Sequence, residues 1–294
     1  MTTRSGFVAL AGRPNVGKST LLNAIVGDKV AIVSERPQTT RRAIRGIATR
    51  AEWQLVLVDL PGVQRPRDLM TDRMQRRMQS ELRDADAVLY VLAGDQAVGP
   101  GDRYIARAVA ASKLPTVIAV NKMDLLSRER TLLALEAADA LGLDADIYPT
   151  GARTGAGVEE VTAALAAMLP EGPMLYPAEE RSDMSQRVRL AELVREQVLR
   201  RTREELPHAV EVEVSEVEER EDGLLTVTAR VWAESESQKG ILIGAGGRMV
   251  REVGTAARKE IEMLSGQKVH LDLSVRVRKD WRRDEALLDR LGIE

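Results

Sequence analysis

The chain has 294 residues, 44% of them hydrophobic, and a formal net charge of −2. This length predicts about two domains with packed cores. A net charge of −2 excludes attraction of nucleic acid by the overall charge of the protein, so any nucleic-acid site must be a local basic patch. With no cysteine, disulfide and thiolate chemistry are excluded as well. No apolar run reaches the ~18 residues of a membrane-spanning helix, and the first residues do not form a signal peptide, so we expect a cytoplasmic protein.

The first half of the chain alternates short apolar runs with helical patterns. Near-continuous apolar runs, typical of strands that are covered on both faces, lie at 7–10, 55–58, 87–92 and 116–120. Helical patterns lie around 69–82, 102–112, 128–141 and 157–168. This alternation predicts an α/β domain with a mostly parallel sheet flanked by helices.

A glycine-rich loop follows the first apolar run and precedes a helical pattern. Residues 12–19 fit Gly-x-x-x-x-Gly-Lys-Ser/Thr, whose backbone N–H groups bind phosphate oxygens together with the positive end of the next helix. We expect Lys18 to reach the terminal phosphates and the Ser19 hydroxyl to ligate magnesium. The alternative is a chance glycine-rich turn. The predicted contacts are Gly12, Arg13, Pro14, Asn15, Val16, Gly17, Lys18, Ser19 and Thr20.

The sequence Asn-Lys-Met-Asp at 121–124 follows the apolar run that ends at Val120. The Asp124 carboxylate can accept two hydrogen bonds from guanine, whereas adenine has no such pair of donors and would leave the carboxylate desolvated and unpaired. Asn121 is expected to brace the loop, and the stem of Lys122 to cover the base. The sequence therefore favours a guanine nucleotide over an ordinary polar turn.

A third motif, Asp59, Leu60, Pro61 and Gly62, ends another apolar run. Asp59 suits a water-mediated magnesium contact, and the Gly62 N–H suits the γ-phosphate. Thr40, in a polar stretch between the motifs, is our candidate for a hydroxyl that joins magnesium only when the γ-phosphate is present. Ordinary loop or strand preference is the alternative for Thr40.

The α/β pattern ends at a proline- and glycine-rich stretch, 169–173. Because such residues stop helices, we predict a first domain at 1–172, a linker at 173–182 and a second domain at 183–294. The second domain begins with a charged helical pattern at about 183–205.

The rest of the second domain predicts the order α-β-β-α-α-β. Alternating segments at 210–214 and 225–231 predict a hairpin. A helix at about 248–264 and a strand at 269–277 follow, and a small helix is expected to close the chain. Gly-x-x-Gly at 244–247 lies between two helical segments, and this arrangement resembles a type II KH domain. Such a loop clamps single-stranded RNA through its backbone, because glycines let phosphates come close. A helix–helix turn with no ligand is the alternative.

Local charge supports an RNA site. Residues 239–283 hold eleven Lys/Arg and five Asp/Glu in an otherwise acidic domain. Arg258 and Lys259 are expected to be solvated, whereas Trp281 can stack on a base or pack within its own domain. The predicted RNA contacts are Lys239, Ile243, Gly244, Ala245, Gly246, Gly247, Arg248, Arg251, Lys279, Trp281 and Arg282.

Taken in order, the nucleotide motifs resemble those of a translation-factor-type GTPase. Asn15 in the phosphate loop and Gln-Thr-Thr-Arg at 38–41 narrow the resemblance to the Era family, and it covers nearly the whole chain. The resemblance implies a P-loop GTPase domain followed by an α+β type II KH domain. It also implies magnesium-dependent hydrolysis of GTP to GDP and phosphate, with a potassium ion that Asn15 helps to hold.

Two positions of the nucleotide motifs depart from the family pattern, as do Ala245 and Gly246 of the KH loop, where the family usually has a lysine or arginine. Gly151 stands where the guanine-contacting loop usually has serine, although the N–H of Ala152 can still meet the guanine carbonyl. Leu60 stands where threonine is more frequent. Val63, which cannot orient water, is apolar as in the family, so catalysis is expected to rest on Lys18, Thr40, Gly62 and magnesium, and intrinsic turnover to be slow.

By resemblance, the partner is the 3′ region of 16S rRNA and the role is assembly of the 30S ribosomal subunit, performed by a monomer. One alternative is a nucleotide-gated binding protein whose hydrolysis is incidental. Another is a regulatory GTPase that does not use RNA and contacts the inner face of the cell membrane through the helix at 183–205. A different water-orienting residue, Gln64, is also left open.

Overall fold

The computed structural model of the protein describes residues 2–34, 36, 39–61, 68–202 and 206–293. The chain divides into two compact units. One comprises Met1–Pro66 and Arg73–Asp183, and the other Arg67–Asp72 and Met184–Glu294.

The first unit is built around a six-stranded sheet in the order β2-β3-β1-β4-β5-β6, in which only β2 pairs antiparallel with its neighbour. Its strands are β1 (Arg4–Ala11), β2 (Ile44–Thr49), β3 (Trp53–Asp59), β4 (Ala87–Ala93), β5 (Thr116–Asn121) and β6 (Asp146–Pro149). The helices between and after them are α1 (Lys18–Val26), α2 (Leu69–Arg83), α3 (Pro100–Ser112), α4 (Arg128–Asp139) and α5 (Val158–Met168).

The central strands are buried because helices cover both faces of the sheet. Every residue of β4 and of β5 is buried, which explains their continuous apolar sequences. The predicted α/β fold is therefore confirmed. Because β1, β3 and β5 are parallel, the loops that follow them lie at one edge of the sheet, where open α/β sheets bind ligands.

The predicted linker, 173–182, lies within the first unit. The buried Gln54 carboxamide donates to the carbonyl of Tyr176 and accepts from its N–H, both at 2.9 Å. The N–H of Ile47 donates to the carbonyl of Arg181 at 2.8 Å. The segment therefore packs along the sheet, and the second unit begins at Met184 rather than at 183.

The second unit follows the predicted α-β-β-α-α-β order and ends with the predicted small helix; one further short helix lies near its start. Its three-stranded sheet has the order β7-β8-β9, with β7 antiparallel and β9 parallel to β8. The elements are α6 (Gln186–Arg201), α7 (Leu206–Ala209), β7 (Glu211–Glu219), β8 (Leu225–Ala233), α8 (Glu236–Ile243), α9 (Arg248–Ser265), β9 (Val269–Val277) and α10 (Glu285–Arg290).

Helix α6 is shorter than the predicted 183–205 and more buried than its charges suggested. Residues 190–199 are all buried. The guanidinium of Arg195 is fully buried and forms ion pairs with Glu192 at 2.9 Å and Glu211 at 3.5 Å. Paired charges can occupy an interior where a lone charge cannot. A helix enclosed in this way does not present its middle to a lipid surface.

Candidate functional site

The phosphate loop connects β1 to α1 through three residues with positive φ. Gly12, Asn15 and Gly17 have φ of 151°, 64° and 101°. A Cβ on Gly17 would lie 2.2 Å from Nδ2 of Asn121. The second glycine of the motif therefore lets the loop approach the end of β5.

Lys18 is buried beside the loop. Its ammonium donates to the carbonyls of Gly12 and Arg13, both at 3.1 Å. Burial lowers the pKa of Lys18 because it disfavours the charged form, and the nearby carboxylate of Asp59 acts in the opposite direction. The Lys18 amine therefore lies within the phosphate loop, at the position that the sequence predicted for binding the terminal phosphates.

The three predicted magnesium ligands lie together. The Ser19 and Thr40 hydroxyls donate to the same oxygen of Asp59, Oδ2, at 2.5 and 3.1 Å, and lie 3.3 Å apart. Its other oxygen, Oδ1, is buried and has no hydrogen-bond partner in the described part of the chain. Burial raises the pKa of Asp59, whereas the charge of Lys18 and the two hydroxyl hydrogen bonds lower it. An unmatched carboxylate oxygen beside two hydroxyls fits a hard cation such as Mg²⁺.

Asn121 joins three segments of the site at the end of β5. Its Nδ2 donates to the carbonyl of Val16 at 3.0 Å, and its Oδ1 accepts from the N–H of Ala152 at 3.0 Å. The N–H of Ala152, which we predicted to donate to the guanine carbonyl, donates to Asn121 in this structure. The arrangement ties the phosphate loop to both predicted guanine loops.

The other guanine-contact residues lie close by. Asp124 is in a 3₁₀ turn (Met123–Leu125) and is exposed. A Cβ on Gly151 would lie 3.2 Å from Oδ1 of Asp124 and 2.7 Å from Oγ1 of Thr154. Thr154 donates to the carbonyl of Gly151 at 3.0 Å and so braces this loop from a position that sequence patterns did not identify. The expected serine would be crowded here.

Some predicted site residues cannot be placed. Gly62, Val63, Gln64 and Gln38 lie outside the described residues. Leu60 and Pro61 are buried at the end of β3. Pro14 and Asn15 are exposed, Val16 is fully buried and Thr20 is half-buried in α1.

Two acidic residues that the sequence analysis missed contact the predicted nucleotide-binding residues. Asp102 Oδ1 accepts from Nε of Arg13 at 2.7 Å, so the Arg13 side chain is directed to α3. Lys122 Nζ pairs with both oxygens of Asp95 at 3.2 Å. The sequence carries no local signal for either pair, because the partners are 89 and 27 positions apart.

In the second unit, the Gly-x-x-Gly loop connects α8 to α9. Gly244, Gly246 and Gly247 have φ of 71°, 58° and 77°, conformations that favour glycine. A Cβ on Gly246 or Gly247 would meet nothing within 4 Å. The backbone there is open to the close approach of a phosphate.

Basic side chains surround this loop. Arg251 donates to the carbonyl of Gly246 at 2.7 Å and so supports the loop itself, while exposed Arg248 lies 3.8 Å from Glu252. An open groove of about 560 Å³ runs beside α9. It is lined by Arg201, Arg248, Arg251, Glu252, Thr255, Ala256 and Lys259. Arg201 and Lys259 thus extend the basic surface beyond the predicted set.

The prediction that Trp281 contacts RNA is wrong. Trp281 is fully buried and its indole N–H donates to the carbonyl of Ala209 at 3.0 Å, so it packs within its own unit and is not available to stack on a base. Lys239 pairs with Glu236 at 3.3 Å. Arg282 pairs with Glu234 at 3.4 Å. Ile243 packs against the core and Lys279 is exposed.

Fold and site together define the class: a P-loop GTPase joined to a KH domain. Residues 7–122 match a family model described as a 50S ribosome-binding GTPase, and residues 205–282 match that of the KH domain. Full-length similarity is more specific. GTPase Era from Mycobacterium sp. strain KMS is 48% identical, and GTPase Era from Mycolicibacterium paratuberculosis strain ATCC BAA-968 / K-10 is 49% identical, each match covering 98% of both chains. The chain belongs to the Era family of GTPases, as its motifs predicted.

Solved structures agree with this assignment. A variant of Aquifex aeolicus Era bound to GDP and AlF₄⁻ is 31% identical, with a TM-score of 0.93 and 99% of both chains covered. A structure of Era in complex with MgGDPNP and nucleotides 1506–1542 of 16S ribosomal RNA gives the same identity, TM-score and coverage. Within the described ranges, none of the helices combines the length and the apolar character needed to span a bilayer.

Proposed function

We propose that this GTPase binds the 3′ region of 16S rRNA through its second unit and assists assembly of the 30S subunit. GTP favours RNA binding, and hydrolysis to GDP and phosphate releases the RNA. The observation that carries the proposal is full-length similarity to a structure that holds both MgGDPNP and 16S rRNA nucleotides 1506–1542. The open glycine loop with its basic surround supports the same function on this chain.

Ser19, Thr40 and Asp59 would hold the magnesium ion, with Asp59 acting through water. When bound, magnesium neutralises charge on the phosphate oxygens. Lys18, already held among loop carbonyls, binds the terminal phosphates, and the backbone N–H groups of 12–19 orient them. Asn15 would help to hold potassium, which supplies a second positive charge at the phosphates. Gly62 would donate its N–H to the γ-phosphate.

The guanine end is recognised by Asp124, with Asn121 bracing the loops around it. At the KH loop, RNA phosphates would approach the backbone of Gly246 and Gly247. Arg248 and Arg251 would add positive charge there. Exposed Lys279 would be a further phosphate contact.

A pair of substitutions at Gly246 tests RNA binding. Asp and Asn both tolerate positive φ and have nearly the same size, so they differ chiefly in charge. Fluorescence anisotropy with a labelled RNA of nucleotides 1506–1542 should show strong loss of affinity for Gly246→Asp and a smaller loss for Gly246→Asn. GTP affinity should be unchanged in both. Equal RNA affinity for wild type and Gly246→Asp would refute the RNA assignment.

Phosphate release over multiple turnovers separates a coupled enzyme from a protein whose hydrolysis is incidental. We expect release to be slow alone and to accelerate with RNA and with potassium in place of sodium. A rate that responds to neither would favour the alternative. The membrane alternative has less support, because the middle of α6 is buried. Sedimentation with anionic vesicles should leave the protein in the supernatant.

A further inference from the structure

The segment 94–102, which comprises the loop after β4 and the first turn of α3, contacts two separate nucleotide-binding loops. We call it the β4–α3 segment. It carries two carboxylates, Asp95 near its start and Asp102 at its end. Each pairs with a cation in a different loop: Asp95 with Lys122 of the guanine loop, and Asp102 with Arg13 of the phosphate loop.

Asp102 is held firmly. Its side chain is 1% exposed, Oδ1 accepts from Nε of Arg13 at 2.7 Å, and Oδ2 accepts from the N–H of Gly99 at 2.8 Å. Its backbone carbonyl accepts from the buried hydroxyl of Tyr90 at 2.8 Å. Both carboxylate oxygens are therefore used, one to cap α3 and the other to fix Arg13. At Gly101 a Cβ would lie 2.9 Å from Cδ of Arg13, so glycine leaves room for the arginine stem.

Arg13 in turn contacts Lys18, the lysine expected to bind the terminal phosphates. The backbone carbonyl of Arg13 accepts from Nζ of Lys18 at 3.1 Å. Asp102 thus fixes the residue whose carbonyl orients the cation for the terminal phosphates. A charge-assisted hydrogen bond to a buried carboxylate is stronger than one between neutral groups, so this pair is suited to hold the loop in register.

The start of the segment is tied to the guanine loop. The N–H of Gly94 donates to the carbonyl of Asn121 at 2.8 Å, and a Cβ on Gly94 would lie 3.2 Å from that oxygen. Asp95 holds Lys122, whose φ is 67° and whose stem is assigned to the base. The Asp95–Lys122 pair is more exposed than the Arg13–Asp102 pair, so it is the weaker of the two.

We propose that Asp102 and Asp95 are positioning residues of the GTPase reaction that act on opposite ends of the nucleotide. Asp102 sets the turnover of bound GTP through Arg13 and Lys18. Asp95 sets the lifetime of the bound nucleotide through Lys122. The proposal rests on GTP hydrolysis by this family and does not depend on RNA binding.

The decisive comparison is Asp102→Asn against Asp102→Ala. Asn keeps an oxygen that can accept from Gly99 but loses the charge that fixes Arg13. We expect Asp102→Asn to lower kcat for GTP roughly tenfold, with a smaller change in KM, and Asp102→Ala to be worse. The exposed carboxylate Asp139 on α4 supplies the control, and Asp139→Asn should match wild type. If Asp102→Asn turns over like wild type while Asp102→Ala is impaired, Asp102 only caps the helix and the proposal is wrong.

If the Asp102 variants fold poorly, Arg13→Gln tests the same ion pair from its other side. The Arg13 side chain is 28% exposed, so its replacement disturbs folding less than replacement of the buried Asp102. The kcat of Arg13→Gln should match that of Asp102→Asn, and the double variant should be no slower than either single variant. Additive losses would contradict the proposed ion pair. Binding of one labelled GDP per chain, and unchanged thermal unfolding, would establish that the variants are folded.

For Asp95, the readout is nucleotide dissociation. In stopped-flow chase experiments, Asp95→Asn should release labelled GDP and a labelled GTP analogue faster by a similar factor, roughly threefold, and its effect on kcat should be smaller than that of Asp102→Asn. Unchanged dissociation, or a loss confined to kcat, would overturn this half of the proposal.

Discussion

Gly17 lies where the phosphate loop closely approaches Asn121 of the guanine loop. Alanine there meets two costs: its φ is 101°, and its Cβ would lie 2.2 Å from Nδ2 of Asn121. A left-handed conformation alone costs a non-glycine residue about 1–2 kcal/mol. The collision adds an overpacking cost of about 1–3 kcal/mol, and displaces the residue that braces the site.

We therefore expect Gly17→Ala to weaken GDP binding by roughly tenfold or more. Gly27→Ala is the matched control, since φ at Gly27 is 78° and a Cβ there would meet nothing within 4 Å. It should lose a similar amount of backbone stability without losing nucleotide affinity. Titration with fluorescent GDP and thermal unfolding measure both quantities. Similar affinity in the two variants would show that the contact with Asn121 does not matter.

Asp59 should make the nucleotide-free protein less stable as pH rises. Burial raises its pKa, so the folded protein keeps this proton to a higher pH than the unfolded chain does. The unfolded chain then binds fewer protons in the window that starts at the ordinary carboxyl pKa, and this contribution to folding stability is lost as pH rises through the folded pKa.

Asp59→Asn removes that titration while keeping an oxygen that can accept from Ser19 and Thr40. We expect the nucleotide-free variant to melt at a higher temperature than wild type at neutral pH, and the difference to shrink at acidic pH. Its magnesium-dependent affinity for GTP should fall. Scanning calorimetry without nucleotide tests the first expectation, and an equal melting temperature at every pH would contradict it.

Residues that belong to a local motif were predictable from the sequence: Lys18, Ser19, Thr40 and Asp59 lie together as expected. Asp102 was not predictable, because one Asp on a helical pattern looks like any other until the fold places it against Arg13. Trp281 was predicted to contact RNA, whereas its ring is buried in the core.

Helix α9 is the element that most directly extends the proposed RNA surface. Lys259 lines the groove of about 560 Å³, whereas its exposed neighbour Arg258 does not. We expect Lys259→Glu to weaken binding of 16S rRNA 1506–1542 several-fold. It should also reduce the slope of log affinity against log salt by about 0.7–0.9 for each RNA phosphate that the protein no longer neutralises.

Arg258→Glu makes the same change of charge one position away, and should have the smaller effect on affinity and slope. Anisotropy titrations at several salt concentrations measure both. Equal effects of the two substitutions would mean that overall charge, and not the groove, determines affinity.

Periodicity predicted elements well where burial was one-sided or complete. Alternation identified β7, β8 and β9, and continuous apolar runs identified β4 and β5. Strands β2 and β6 were missed. The sequence of β2 neither alternates nor forms a continuous apolar run, and the four residues of β6 are exposed or half-buried. The charges of α6 left contact with a membrane surface open as an alternative, but Arg195 is neutralised by glutamates inside the unit.

The proposed function requires that GTP binding and RNA binding influence each other across the two units. Coupling between two binding sites is reciprocal, and typical factors are about 5–150. If a GTP analogue raises the affinity for 16S rRNA 1506–1542 by some factor relative to the nucleotide-free protein, saturating RNA must raise affinity for that analogue by the same factor. We expect a factor of at least about 5 for the analogue and a smaller one for GDP.

Isothermal titration in both orders tests this expectation, and Gly246→Asp should abolish the effect of RNA on nucleotide affinity. Factors near one for both nucleotides would contradict the proposed cycle. The sequence placed the start of the second unit within one residue of Met184, but it predicted a linker at 173–182, because the contacts that hold this proline-rich segment to the sheet through Gln54 leave no local pattern.

Residues 95–97, at the tip of the β4–α3 segment, are exposed. A macromolecule that binds this small turn would displace the contacts of the segment with both the guanine loop and the phosphate loop, without entering the nucleotide pocket. The exchange of GDP for GTP after each cycle would then be controlled by a partner that binds this exposed turn.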